Sequence, residues 1–194
     1  MTEKQAQRLK DKITKIKRAL AADKRRWGGY YDDSRGLRYS PPELYLKLLD
    51  YKGALRYFKW FEKNFPNDVG FPVFLLEWAI TLFKTGNITL AEKKVLETFM
   101  SNFYLLDKFL EREIIDRGIS EQSSWKFSSL ADLPYSKYKQ ELSDFSVWLE
   151  QFVETEKFDK LRREVIEIER KLENEPVGPK RSALVARLYS LPDN

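Results

Sequence analysis

The chain has 194 residues with 35 Lys and Arg against 30 Asp and Glu, a net charge of +5, and neither cysteine nor histidine. Those two absences exclude disulfides, thiolate and imidazole zinc sites, Ser-His and Cys-His nucleophiles, and the commonest general base. With 42% apolar residues and only eight glycines, there is material for one sizeable core. Nearly every long segment has helical spacing, so the chain reads as a single all-α domain over 1–194.

The charge is uneven. Residues 1–40 hold 12 Lys and Arg against five acids, a balance of +7, whereas the remaining 154 hold 23 against 25. Ala6, Leu9, Ile13, Ile16, Leu20 and Trp27 follow a 3,4 spacing broken only by Asp23. This predicts an amphipathic helix with one narrow apolar stripe and basic residues around the rest. Next comes the most concentrated polar-aromatic run, from Trp27 to Tyr39, with Tyr30, Asp32, Asp33, Arg35 and Arg38 as its candidate functional residues. Such a run either connects two helices, with aromatics packed inward and charges paired or capping, or forms an ordered loop that grips a ligand. Asp32 and Asp33 would then be acceptors and Arg35 and Arg38 forks.

A short helix is predicted to start near Pro42 and run through Leu48, and a second lies within Asp50–Asp68 and is stopped by Pro66. A third runs from Pro72 to Thr85 with Leu75, Ala79 and Leu82 on one stripe and Gly86 at its end. A fourth holds Ala91. The serine-rich stretch from Gly118 to Ala131 reads as a loop. Pro134 is predicted to open a helix carrying Tyr138, Leu142, Phe145, Leu149 and Phe152 at 4,3,4,3 spacing, flanked by Trp148. A further stripe, Phe158, Leu161, Val165, Ile168 and Leu172, precedes a PVGP turn and a short terminal helix over Lys180–Leu191. The stripes at the two ends of the chain suit pairing within one chain or across a homodimer.

The segment DYKGALRYFKWFEKNFPND, with Tyr51, small Ala54, Phe58 and the stop at Pro66, resembles the second half of a tetratricopeptide repeat. Ala91 follows a similar turn 37 positions later, against a family period of about 34. The resemblance covers residues 37–103 and implies two stacked helix pairs, capped by non-repeat helices on both sides. It also implies a groove formed by the first helix of each repeat. Carried over by alignment, that groove is Tyr39, Glu43, Leu46 and Lys47 in the first repeat and Val73, Leu76, Ile80, Phe83 and Lys84 in the second. Family members that hold a peptide's terminal carboxylate use Lys, Asn and Arg at such places, and this chain has no asparagine there.

There is no GxxxxGK[ST] loop and no GxGxxG fingerprint, so no nucleotide cofactor is implied, and no residue is marked as catalytic or metal-binding. An adaptor that presents a groove to a protein or peptide is the first expectation. A nucleic-acid-binding protein is the alternative, using Lys10, Lys12, Lys15, Lys17, Arg18, Lys24, Arg25 and Arg26 on phosphates and the Trp-Tyr-Tyr segment on bases. The charged N-terminus and the lack of a long apolar run suggest a cytoplasmic protein without a membrane role.

Overall fold

The structure, a computed structural model, describes residues 1–114, 130 and 132–193, and among these it is all-α, with no strand. The chain divides into two compact units, Met1–Asn87 and Ile88–Asn194. The division falls inside the segment 37–103 that resembles two repeats, between the helices of the second.

The first unit contains α1 (Glu3–Arg26), a 3-10 turn (Leu37–Tyr39), α2 (Pro41–Lys47), α3 (Tyr51–Asn64) and α4 (Pro72–Lys84). Local chemistry sets these boundaries. Thr2 and Gln5 form a reciprocal capping box at the start of α1, and Pro41 and Pro72 open α2 and α4, where a missing N–H costs nothing. The Asp50 carboxylate accepts the Gly53 N–H at 2.8 Å and so caps α3. Between α2 and α3 the chain turns sharply. Leu49 takes a left-handed conformation at φ 56°, the Leu49 N–H donates to the Leu46 carbonyl, and the Asp50 N–H donates to that of Tyr45. A Cβ on Gly53 would lie 2.7 Å from the Tyr45 ring and 2.2 Å from the Asp50 carboxylate, so glycine is what lets α2 and α3 close.

Helices α2, α3 and α4 each pack on the other two, and Ala54 and Ala79 are fully buried in their interior. An aromatic core fills the space between α3 and α4. Phe58 stacks on Trp78 at 4.7 Å and meets Phe74 edge-on at 5.2 Å, while Phe61 lies 4.7 Å from Phe74. α1 lies on α2. Ile13, Ile16 and Leu20 are buried against Leu44, with Leu9, Tyr45, Leu48 and Trp60 around them.

The second unit contains α5 (Ile88–Ser101), α6 (Leu105–Phe109), a 3-10 turn (Gln140–Leu142), α7 (Ser143–Val153), α8 (Glu156–Asn174), α9 (Pro179–Ser190) and a closing 3-10 turn (Leu191–Asp193). α8 packs on α5, α7 and α9, and Phe158 meets Phe99 and Phe152 at 5.8 and 5.3 Å. The Thr155 hydroxyl caps α8 by accepting the Phe158 N–H.

Two expectations change. The helix predicted to open at Pro134 begins at Ser143, because the Lys137 N–H is committed to the Phe109 carbonyl. Tyr138 consequently stands 77% exposed rather than on the apolar stripe. Trp27 is the C-cap of α1, not the last rung of its stripe, and is 47% exposed. Each end stripe packs on helices of its own unit. The serine-rich stretch read as a loop lies outside the described residues except for Leu130. Among the described residues no helix is long and apolar enough to cross a membrane.

Candidate functional site

Packing uses one side of α1 and leaves the other to solvent. Lys4, Arg8, Lys15, Arg18 and Arg25 follow each other at spacings of 4, 7, 3 and 7, so they line up opposite Ile13, Ile16 and Leu20. From first to last the row extends about 32 Å. Asp11 is the one acid in it, and its carboxylate accepts a 2.8 Å hydrogen bond from Gln7. Of the ten cations on α1, Lys4, Arg8, Lys10, Lys12, Lys15, Lys17, Arg18 and Arg25 make no side-chain hydrogen bond or ion pair among the described residues, and all are exposed.

The mixed-sign face of α8 behaves differently. Arg162 and Arg163 pair with Asp159, Lys171 with Glu167, and Arg187 of α9 with Glu164. That face neutralises itself, whereas the face of α1 does not.

The end of α1 is tied down by three hydrogen bonds. Lys24 Nζ and the Tyr31 hydroxyl both donate to Asn64 Oδ1, at 2.8 and 3.1 Å, and the Asp32 N–H donates to the Asp23 carboxylate at 2.8 Å. The chain then continues outside any regular element, and the exposure of its side chains alternates. Tyr31 and Asp33 turn inward while Tyr30 and Asp32 are exposed. Tyr31 packs on Trp60 and Phe65. Asp33 caps the 3-10 turn by accepting the N–H groups of Leu37 and Arg38 at 2.8 and 2.7 Å.

Arg38 clasps this loop to the turn before α4. Its guanidinium bonds Asp68 at 2.8 Å and Asp33 at 3.3 Å, and it also donates to the Tyr39 hydroxyl, which itself donates to Asp68. The Arg38 carbonyl accepts the Tyr57 hydroxyl at 2.7 Å. Burial, with the charge of Asp33 second, pushes the Tyr57 phenol up, so it stays a donor. For Asp68 burial alone would raise the carboxyl pKa. The hydrogen bonds from Tyr39, Gly70 and Arg38, together with the charge of Arg38, outweigh it and hold the group below the ordinary aspartate range. A depressed native pKa gives stability that is complete above the unfolded value and lost as pH falls through the native one. Denaturant melts at successively lower pH should therefore show the first unit weakening below about pH 4. Asp68→Asn should start less stable at neutral pH and lose less on acidification.

Around the loop's outward groups lies a cavity of about 340 Å³. Ala19, Leu20 and Leu37 contribute apolar lining; Asp23, Arg26, Trp27, Asp32, Asp33, Ser34 and Arg35 contribute the rest. Asp23 and Asp33 are already engaged with backbone N–H groups. The side chains of Asp32, Ser34 and Arg35 make no hydrogen bond or ion pair among the described residues, and Arg26 sits 5.6 Å over the Trp27 ring. No group of three or more potential metal-binding side chains occurs among the described residues.

The structure thus splits the six loop residues singled out by sequence. Trp27, Asp32, Asp33 and Arg35 line one cavity, Arg38 is a structural clasp, and Tyr30 stands 80% exposed beside them. The nine groove residues do not form one open surface. Leu46, Leu76 and Ile80 are buried, at 5%, 0% and 0% exposure, and present nothing to a partner. Tyr39 is engaged with Asp68 and Arg38, Lys84 lies over the Tyr51 ring, and Val73 and Phe83 are half-buried. Glu43 and Lys47 pair with each other. The cations singled out by sequence lacked Lys4 and Arg8, and the loop residues singled out lacked Ser34. Lys4 and Arg8 could have been found by extending the basic spacing back to the start of α1. In comparisons with known proteins, no family model, no curated protein and no solved structure matches this chain.

Proposed function

We propose that this protein is a non-enzymatic nucleic-acid-binding protein that lays the solvent face of α1 along phosphates. The observation carrying this reading is the row of unneutralised cations on a helix whose apolar stripe is already spent on folding. A membrane surface is a poorer partner, since no apolar face of α1 remains to insert. Nucleic acid offers what the row lacks, a regular line of negative charge, and releases counterions when the row neutralises it.

The test is titration of labelled single-stranded and duplex oligonucleotides at several salt concentrations. The wild-type chain should bind at low salt and weaken steeply as salt rises. Replacing Lys4, Arg8, Lys15 and Arg18 together by glutamine should lower the slope of log affinity against log salt by about 3 on single strands, at about 0.7 for each phosphate contact removed. The melting temperature should hardly move, because these exposed side chains make no hydrogen bond or ion pair among the described residues. Absence of binding at low salt, or binding indifferent to salt, would reject the proposal.

A second reading is favoured by the mutual packing of α2, α3 and α4 around Ala54 and Ala79. That arrangement suits a tetratricopeptide-like helix-pair scaffold serving as a protein-binding adaptor. Its contact surface would have to lie elsewhere than on Leu46, Leu76 and Ile80.

A further inference from the structure

Resting on the nucleic-acid reading, we propose that the cavity at the end of α1 seats one unpaired nucleotide of a single strand, with its base against Trp27 and its phosphate against Arg26 and Arg35. Three independent observations converge on this. The first is position: Arg26 lines the cavity one residue past Arg25 but about 100° round the helix from it, so a strand tracking the row reaches the cavity by turning about a third of the way around the end of α1.

The second is chemistry. The polar groups lining the cavity without a hydrogen bond or ion pair among the described residues are the Arg35 guanidinium, the Asp32 carboxylate and the Ser34 hydroxyl, and beside them lies the Trp27 indole with Arg26 5.6 Å over its ring. An aromatic platform beside cations is what a sequence-tolerant single-strand site needs, because every base has a π-face and every nucleotide a charge. Asp32 accepts from an amino group on a base edge and repels a phosphate, so it favours entry with the base on its side and the phosphate on the arginines. The other two carboxylates are quietened, Asp23 by the Asp32 N–H and Asp33 by two N–H groups and Arg38.

The third is the division of labour in the loop. Tyr31 and Tyr39 are packed into the fold, whereas Trp27 remains 47% exposed and Tyr30 80% exposed on a segment whose backbone is held by hydrogen bonds. Tyr30 and the exposed half of Trp27 are thus left open to a ligand. The cavity, at about 340 Å³, falls within the size range of small-molecule sites.

A duplex keeps its bases stacked inside and offers α1 only phosphates, so the cavity distinguishes single strands from duplexes. The experiment measures the full-length chain against a labelled single strand of about 16 nucleotides and its duplex, at fixed salt and over a salt series. Trp27→Ala should weaken single-strand binding about tenfold to a hundredfold with an unchanged salt slope, and leave duplex binding unaltered. Trp27→Phe should restore most of the loss. Arg35→Gln should weaken the single strand and lower its slope by about 0.7. Both residues stand at the surface, and melting temperatures equal to wild type verify that the variants are folded. If Trp27→Ala binds single strands as the wild type does, or loses duplex and single strand equally, the cavity proposal fails while the phosphate reading stands. If the wild type binds neither probe at low salt, both fall together.

Discussion

Phe58→Ala is expected to destabilise the first unit by about 4 kcal/mol, within the 3 to 5 found for aromatic truncation in a packed core. Phe58 has no solvent exposure, and its ring is held on two sides by α4, stacked on Trp78 and edge-on to Phe74. Removing it deletes apolar burial and both ring contacts. It also leaves a void that Ala54 and Ala79, both small and fully buried, are unable to fill. Relaxation from Phe61 is limited, because that ring is itself 4.7 Å from Phe74 and 5.9 Å from Tyr39. Chemical denaturation followed by circular dichroism measures the loss. Phe58→Leu, which keeps most of the volume, should cost less than half as much. A loss near 1 kcal/mol for the alanine variant would mean that α3 and α4 close over the gap, and that the aromatic cluster is looser than its geometry states.

How much of this was legible in the sequence depends on which force set each feature. Proline punctuation fixed the starts of α2 and α4, and the PVGP turn fixed the start of α9, because proline's lost N–H and locked φ act locally. The stripe from Phe158 to Leu172 was legible because a helix with one apolar side buries that side. α4 fails that rule. Nine of the thirteen residues of PVFLLEWAITLFK are buried, so a helix apolar nearly all round is buried nearly all round, and its second face was core and not groove. That signal was present in the residues themselves. The Tyr138 error has a different source, since spacing does not reveal that an upstream N–H is committed to a distant carbonyl. The loop was hardest. Tyr30 and Tyr31, or Asp32 and Asp33, are chemically equal neighbours, and only the path of the backbone decides which of each pair faces in.

Deletion of residues 1–26 is expected to unfold or aggregate the first unit. Ile13, Ile16 and Leu20 together bury side chains worth about 6 kcal/mol at roughly 2 each. That is the size of a whole domain's stability, typically about 5 to 15 kcal/mol. The deletion also uncovers part of Leu44, Tyr45, Leu48 and Trp60, an apolar patch to which only Tyr31 and Leu37 of that cluster would remain as cover. Size-exclusion chromatography with light scattering should show aggregates, and a melt should show the cooperative transition of this unit lost or lowered. The glutamine variant of Lys4, Arg8, Lys15 and Arg18 is the matched control, since it removes charge from the same helix and touches none of the packed stripe. Loss of binding without loss of stability in that variant, set against loss of stability in the deletion, would separate the two faces of α1 by function. A truncated chain that stays soluble and melts cooperatively would show that α1 is an appendage. Its cationic face would then be carried on a mobile arm, and the cavity at its end would have no fixed wall.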